Sequence, residues 1–293
     1  MAATSTLTVN PTRTLAVSGT ADFAGQSVTV KSDGTGTAGL GQVSGTLTGA
    51  TNVTVERFIP NNSFRSWRLL SVPVTTTQTI RQAWQEGDAN PNPKDNNLPG
   101  KGTQITGVFA TQAAAAAAGF DSTSVQAGML RWNGTGWSNI ASTNQPLNNF
   151  NSYFLYIRGD RAQTVTGTVG SSSSTTLRAK GTVFTGDRTN SVGAGAFALV
   201  PNEYPSAINF TGLTRTGGVN NLFYIWDSKK MNGSSLGAYQ TFSATNGFIP
   251  MVNGGSYAPG QPNTTIESGQ SFFVFFTSAG TITLKESAKI SGT

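Results

Sequence analysis

Two short apolar runs constrain the fold of this chain more than any other feature. Tyr153–Ile157 is rich in aromatic and β-branched side chains, and Phe272–Phe276 repeats that composition near the C-terminus. A run of this length between turn residues is typical of a strand buried on both faces. We therefore expect these two runs to be the equivalent central strands of two repeated β modules.

The N-terminal residues 1–57 alternate polar and apolar side chains. Thr6–Val9, Thr14–Val17 and Ser27–Val30 have the period of half-buried strands, and Gly and Asn punctuate them. Short rungs of this kind resemble the end of a β-solenoid. A simple meander explains the same alternation, so both alternatives stay open here.

Residues 58–181 and 182–293 show the same order of elements, which predicts a diverged internal duplication. Each has a strand ending at proline (Pro73 and Pro201), then an aromatic strand pair, then the central apolar strand. In the second module, Ile266–Phe276 and Thr281–Leu284 are expected as separate strands. The latter is expected to correspond to residues 164–169 in the first module.

Local signals within the first module predict a hairpin and two helical turns. Asn133-Gly134 favours a hairpin between strands that carry Trp132 and Trp137. Thr79–Gln85, with Thr79 as N-cap, and the alanine run that ends at Gly119 favour short helices. The expected fold is therefore all-β, a β-solenoid-like or meander segment followed by two duplicated antiparallel β-sandwich-like modules with short helical turns.

The composition excludes several kinds of chemistry. The chain contains neither cysteine nor histidine, so disulfides, thiolate nucleophiles, cysteine-type zinc sites and histidine bases are ruled out. The acidic residues are scattered, and no spacing nominates a catalytic pair of carboxylates. The loop Asp88–Asp95 lacks the regular acidic spacing of a known calcium loop. We expect no enzymatic activity, no cofactor and no metal ion.

The surface chemistry favours an extracellular protein. Only 11% of the residues are charged, below the usual share of about 25%, and Thr, Ser, Asn and Gly take their place. The net charge of +6 is scattered rather than gathered into a basic stripe, so no nucleic-acid partner is expected. No apolar run approaches the roughly 20 residues of a membrane helix, so no membrane insertion is expected.

Several segments resemble a large family of Bacteroidetes cell-surface and secreted proteins that use the type IX secretion system. They are Val53–Pro60, Ser66–Val74, Tyr156–Arg161 and Ser268–Val274. The resemblance implies an extracellular adhesin-like, matrix or filament role without catalytic activity. It also implies that this chain is a fragment or processed form without the C-terminal sorting domain. Asp121-Ser122-Thr123 resembles the O-glycosylation acceptor of these bacteria, which makes Ser122 a candidate site.

Two further features have both a functional and a structural interpretation. Arg158-Gly159-Asp160 is an integrin-type adhesion tripeptide, but it also fits a turn after a buried strand, and we favour the turn. The aromatic residues on the paired strands could stack on sugar rings or pack against each other in a core. These residues are Trp132, Trp137, Trp226 and Tyr239.

Two hypotheses of function follow. The first is an extracellular structural or adhesive surface protein, including a self-assembling filament subunit, whose partners are other copies of itself or matrix components. The second is a carbohydrate-binding module of a secreted surface protein, whose partners are glycans.

Overall fold

The computed structural model describes residues 5–86, 99–121, 124–163, 170–230, 237–250, 261–291 and 293. It is nearly all β, and its sheets do not close into a barrel within these ranges, which confirms the predicted all-β, sandwich-like class. The strands of the N-terminal part are β1 Thr6–Val9, β2 Thr14–Val17, β3 Thr20–Asp22, β4 Ser27–Val30, β5 Ser32–Asp33, β6 Gly36–Thr37, β7 Gly39–Val43, β8 Thr46–Thr48 and β9 Val53–Ile59.

The N-terminal strands stack in parallel, so the solenoid alternative is correct and the meander is not. β1 pairs with β4 and β4 with β9, while β2 pairs with β7 and β3 with β8, all in parallel. The alternation places apolar side chains inside, where Val28 and Val53 are fully buried. The hairpin of β5 and β6 is an insertion into the second rung.

The first module is built on one antiparallel sheet in the order β10-β13-β11-β12. Its elements are β10 Ser66–Leu70, α1 Ile80–Ala83, α2 Gln112–Ala117, β11 Met129–Trp132, β12 Trp137–Asn139, β13 Tyr153–Ile157 and β14 Thr175–Gly181. The predicted hairpin is present, with Trp132 directly opposite Trp137. Strand β13 has the predicted bounds and four buried residues out of five. Strand β14 pairs antiparallel with β9, which is the last strand of the parallel ladder β1-β4-β9.

Both predicted helical turns are confirmed, and their caps explain where they begin and end. The Thr79 side chain accepts a hydrogen bond from the Gln82 amide, and the Gln82 side chain accepts one from the Thr79 amide, which forms a capping box. Helix α2 is stopped at Gly119, whose φ of 86° lies in the region that favours glycine.

The second module repeats the sheet order of the first as β16-β22-β19-β20. Its strands are β15 Arg188–Val192, β16 Ala196–Pro201, β17 Ile208–Asn209, β18 Thr214–Val219, β19 Leu222–Asp227, β20 Ala238–Ser243, β21 Thr265–Ile266 and β22 Ser271–Leu284. Three 3₁₀ turns accompany them at Phe210–Gly212, Ala244–Asn246 and Glu286–Ala288. The predicted duplication of modules is therefore reflected in the order in which their strands pair.

Strand β22 corrects one prediction, because it is a single strand of 14 residues rather than two. Strands β15 and β16 follow one edge of β22 in a single register, and β18 and β19 lie along the other edge. Gly280 does not form a turn. It allows close approach of the neighbouring strand, since a Cβ at this position would collide with the Thr216 carbonyl.

The first module has no single strand that corresponds to the whole of β22 in the described residues, because β13 ends at Ile157 and β14 begins at Thr175. Strand β9 pairs with β14 in the antiparallel manner in which β15 pairs with the end of β22, and the expected correspondence of residues 164–169 with Thr281–Leu284 stays a prediction. Residues 164–169 lie outside the described ranges. The break between β13 and β14 starts at Arg158-Gly159-Asp160, where the second module continues as a strand.

The apolar interior forms three clusters. The largest contains residues from Val9 to Val183, so the solenoid and the first module share one core. The second lies within the second module, between Ala198 and Ala288. The third joins the two modules through aromatic side chains. The largest cluster contains residues from both sides of position 57, so it does not separate the N-terminal segment from the first module. The boundaries of the segments 1–57, 58–181 and 182–293 remain predictions.

A buried ion pair fixes the loops of the first module. The Asp121 carboxylate accepts hydrogen bonds from the Arg161 guanidinium at 2.8 and 3.0 Å and from the Ile105 amide at 2.7 Å. Gln85 donates a further bond at 2.8 Å, and neither charged side chain is more than 1% exposed. A charge buried this deeply depends on its partners.

Replacing Asp121 by Asn should lower the free energy of unfolding by about 3–5 kcal/mol, because the buried Arg161 charge loses its counterion. Asp187→Asn is the matched control, since the exposed Asp187 pairs with Lys285 at the surface, and it should cost less than about 1 kcal/mol. Urea denaturation of both variants measures the difference. Equal losses would contradict the proposed role of burial.

Candidate functional site

The sheets of the two modules face each other across a layer of aromatic rings, and the contacts are reciprocal. Phe154 of β13 meets Trp226 of β19 edge-on with ring centroids 4.7 Å apart. Phe273 of β22 meets Trp132 of β11 edge-on at 5.2 Å. Since β13 corresponds to β22 and β11 to β19, the two contacts are related by the duplication. The layer therefore has a pseudo-two-fold arrangement.

The strand registers identify equivalent residues in the two modules. In the first module, Leu69 is opposite Phe154, and Trp67 lies two residues before Leu69. In the second module, Leu199 is opposite Phe273, and Phe197 lies two residues before Leu199. Trp67 and Phe197 are therefore equivalent. Leu130 is opposite Phe154 on the other neighbouring strand, and Tyr224 is opposite Phe273, so Leu130 and Tyr224 are also equivalent. The modules thus keep the positions of the layer and differ in the side chains that fill them.

This difference creates an open cleft on one side of the layer. Trp67 stacks on Phe154 with centroids 4.8 Å apart and an interplanar angle of 14°. The smaller Phe197 lies 6.1 Å from Phe273 and meets it edge-on, so the equivalent face of Phe273 is less covered. The resulting cleft has a volume of about 380 Å³. Its lining consists of Trp132, Phe197, Tyr224, Tyr239, Thr241 and Phe273.

The predicted aromatic residues divide between the cleft and the packed layer. Trp132 and Tyr239 line the cleft, and Tyr239 is 39% exposed. Trp137 stacks on Phe154 at 5.2 Å, and Trp226 packs between Phe154 and Tyr239. Both structural packing and an open aromatic surface are therefore present, on different members of the predicted set.

Four cleft residues were not predicted from the sequence, namely Thr241 and the aromatic residues Phe197, Tyr224 and Phe273. Phe197 is 48% exposed at an outward position of β16, and Tyr224 and Phe273 form a cross-strand pair on the same face. The sequence alternation along Leu222–Asp227 could have identified Tyr224 as a surface residue. Phe223 and Ile225 point into the core, and Tyr224 points away from it. The polar side-chain groups among the lining residues are the hydroxyls of Thr241 and of the two tyrosines and the indole N–H of Trp132.

The open end of the solenoid is a second candidate surface. Strands β1, β2 and β3 each pair along one edge only within the described residues. Among the inward side chains of this first rung, Leu7 and Leu15 are half-buried while Val9 and Val17 are buried, and Leu40 in the second rung is buried. The three strands contain no lysine, arginine or proline, which are residues that commonly protect free edges.

The ladder defines which amides point out of this free edge. The carbonyls of Ser5 and Val9 accept hydrogen bonds from the amides of Ser27 and Lys31 on the β4 side. Backbone groups alternate in direction along a strand, so Thr6 and Thr8 direct their N–H and C=O groups away from β4. The free edge therefore presents donors and acceptors that can pair with another strand.

The Arg158-Gly159-Asp160 tripeptide is folded into the protein. The Arg158 guanidinium donates to the Thr106 hydroxyl at 3.0 Å, and burial lowers the pKa of Arg158 to about 10. The Asp160 carboxylate accepts a bond from the Gly100 amide at 2.6 Å. Arg158 and Asp160 are only 6% and 8% exposed, so their side chains are engaged in internal contacts. Gly159 has a φ of 107°, as a turn requires.

Other candidate positions contribute no site in the part of the chain that the structure describes. Ser122 and the loop Asp88–Asp95 lie outside it. Within it, no group of three acidic side chains is placed to hold a metal ion. None of its helices has the length and apolar character needed to span a membrane.

A buried carboxyl group lies where the two modules meet. Glu203 is 1% exposed, its Oε1 lies 3.7 Å from the Arg188 Nε, and its Oε2 has no hydrogen-bond partner among the described residues. Arg188 also stacks over the ring of Phe150 from the first module, 4.1 Å from its centroid. Burial raises the pKa of Glu203 to about 7, although Arg188 opposes this shift.

Glu203 should make the protein less stable as the pH rises from about 4.5 to about 7. In this window the unfolded chain has released a proton that the folded protein retains. The free energy of unfolding therefore falls as the pH rises, by about 3 kcal/mol over the whole window. Urea denaturation at pH 5 and pH 8 measures this loss. Glu203→Gln should remove that part of the pH dependence. An unchanged pH dependence in this variant would contradict the assignment.

Comparison of the chain with protein-family models, with curated proteins and with solved structures finds no match. The two surfaces described above, the aromatic cleft and the open solenoid end, are therefore the observations on which function can be argued.

Proposed function

We propose that the chain is a structural or adhesive protein of an extracellular surface that associates with a second copy of itself through the first solenoid rung. The observation that carries this proposal is that β1, β2 and β3, at one end of the solenoid, each have one edge without a strand partner among the described residues. The low charge content and the resemblance to Bacteroidetes surface proteins support the extracellular location.

A second copy is the occupant that the chemistry of this edge favours. The edge is neutral apart from Asp22, whose carboxylate is already held by the Ala24 amide and the Thr48 hydroxyl. Two copies of β1 can pair antiparallel about a two-fold axis. Pairing Thr8 with Thr8 of the second copy keeps Leu7 opposite Val9 on the inner face, because side chains alternate with a period of two.

Thr8→Pro should abolish this association. The substitution removes an amide that points away from β4, so the pairing of β1 with β4 is retained while a donor to the second copy is lost. Sedimentation velocity should show a concentration-dependent dimer for the original chain and a monomer for the variant. Thermal unfolding should show a similar midpoint once the contribution of dimerisation is removed.

Thr8→Ser is the matched control, because it keeps the backbone donor, and it should associate as the original chain does. Thr8→Lys should block association by placing a charge on the edge. A chain that stays monomeric at all concentrations, or a proline variant that dimerises normally, would falsify the proposal.

The aromatic cleft favours a second candidate function, which is binding of carbohydrate. Exposed rings at Phe197 and Tyr239, with Trp132 and Phe273 behind them, offer apolar faces to a sugar ring. The hydroxyls of Thr241, Tyr224 and Tyr239 supply polar partners at the rim. On this hypothesis the protein is a carbohydrate-binding module of a secreted surface protein.

Phe197→Trp should abolish carbohydrate binding without destabilising the protein. It reproduces the tryptophan that covers the equivalent ring in the first module, so it fills the cleft while restoring the packing seen at Trp67. A glycan array measures binding, and Tyr239→Ala should weaken any signal at least about tenfold by removing a stacking ring.

Phe150→Ala is the control for the array, since Phe150 is 45% exposed but lies outside the cleft. Its glycan signal should match that of the original chain. Absence of any glycan signal from the original chain, or a signal that survives Phe197→Trp, would exclude this second candidate.

A further inference from the structure

We infer that a cavity between the two modules is a binding site for an oxyanion, such as a sulfate or carboxylate group. The cavity has a volume of about 200 Å³ and is separate from the aromatic cleft. Its wall is formed by the end of β9, by β10, by the turn after β19 and by Gln270 before β22. The charged lining residues are Arg57, Arg68, Asp227 and Lys229.

The lining carries an excess of positive charge. Arg57, Arg68 and Lys229 are cationic, and Asp227 is the one carboxylate among the lining residues. The Asp227 carboxylate accepts a hydrogen bond from the Lys229 amide at 2.9 Å, so it is engaged in its own turn. Glu267 reaches Arg57 from outside the lining, at 3.5 Å. Counting Glu267, three cations face two carboxylates, which leaves one positive charge without a counterion.

The Arg68 guanidinium is the cationic group of the lining that an oxyanion would compensate most. Within the described ranges, no acceptor lies at hydrogen-bonding or ion-pair distance from its guanidinium, although the charge of Asp227 acts on it from farther away. Burial and the neighbouring charge of Arg57 lower the pKa of Arg68 to about 10. The Arg68 side chain is half-buried, and a partly desolvated guanidinium beside a second one is more favourable when an anion compensates it.

An oxyanion meets this need better than water does. Guanidinium groups present planar pairs of N–H donors that match two oxygens of a sulfate or carboxylate group. Water accepts hydrogen bonds but does not neutralise the charge that Arg57 and Arg68 bring together. The cavity is large enough to hold such a group with ordered water around it, because one water needs only about 30 Å³.

The oxyanion can come from two sources, which are free inorganic ions and acidic groups on a saccharide. Trp226 lines the cavity and contacts Tyr239 of the aromatic cleft, with ring centroids 4.9 Å apart, so the linings of the two sites are in contact. Oxyanion binding in the cavity does not require glycan binding in the cleft, because Arg57, Arg68 and Lys229 line the cavity in either case.

Isothermal titration calorimetry with sodium sulfate, sodium glucuronate and a sulfated disaccharide, at matched ionic strength in chloride, tests the site. One saturable site is expected for at least one of these probes. Arg68→Gln should weaken that binding at least about tenfold, the cost of one lost charge-assisted pair. Binding of sulfate points to a free ion, and binding of the saccharides alone points to an acidic glycan.

Arg131→Gln is the matched control, because Arg131 is exposed on β11 and removes the same net charge. It should bind every probe as the original chain does. Circular dichroism checks that each variant is folded, and Arg57→Gln provides a second test if Arg68→Gln unfolds. Absence of binding for all three probes, or equal losses in Arg68→Gln and Arg131→Gln, would overturn the inference.

Discussion

The aromatic layer between the modules is the interaction on which the remaining structure depends. Each module alone presents one face of an antiparallel sheet covered with large rings, and that face needs an apolar partner. The other module supplies it through the reciprocal contacts of Phe154 with Trp226 and of Phe273 with Trp132. Edge-on pairs of this kind add specificity to the burial of apolar area. The layer therefore sets how the two modules meet, and with them the cavity and the cleft at its borders.

The repeated sheet order of the two modules explains why the ring contacts in this layer are reciprocal, and where the side chains of the two modules differ. Equivalent strands keep their pairing partners, while the side chains have diverged at Trp67 and Phe197 and at Leu130 and Tyr224. The first module has the larger ring at the position that covers its central phenylalanine. The second has a smaller ring there, and a cleft remains. A candidate binding surface has thus arisen where one copy of a repeated core is incompletely filled.

Features that depend on local sequence could be predicted, and those that depend on distant partners could not. The limits of β13, the cap at Thr79 and the hairpin after Trp132 are set by neighbouring residues. The N-terminal alternation is the same for parallel and antiparallel partners, so the sequence left solenoid and meander open. Gly280 carries a turn signal, but its role is the close approach of a strand more than 60 residues away in the chain.

The candidate sites show the same division. Trp132 and Tyr239 could be nominated because aromatic residues on a hairpin are conspicuous, whereas the role of Phe197 depends on which ring fails to cover Phe273. The charge of Arg68 is ordinary in the sequence. It becomes notable only because β9, β10 and the turn after β19 meet and bring Arg57 and Lys229 to the same cavity.

The pairing of β14 with β9 has a consequence for stoichiometry. Because β14 runs antiparallel along β9, both edges of β9 are paired, whereas β1, at the other end of this ladder, is paired along one edge only among the described residues. On the proposed function, two chains that pair through β1 occupy this edge in both copies and place their sandwich modules at opposite ends. Such a pair is a symmetric bridge of fixed length, and indefinite growth would require a second, chemically different contact on the modules.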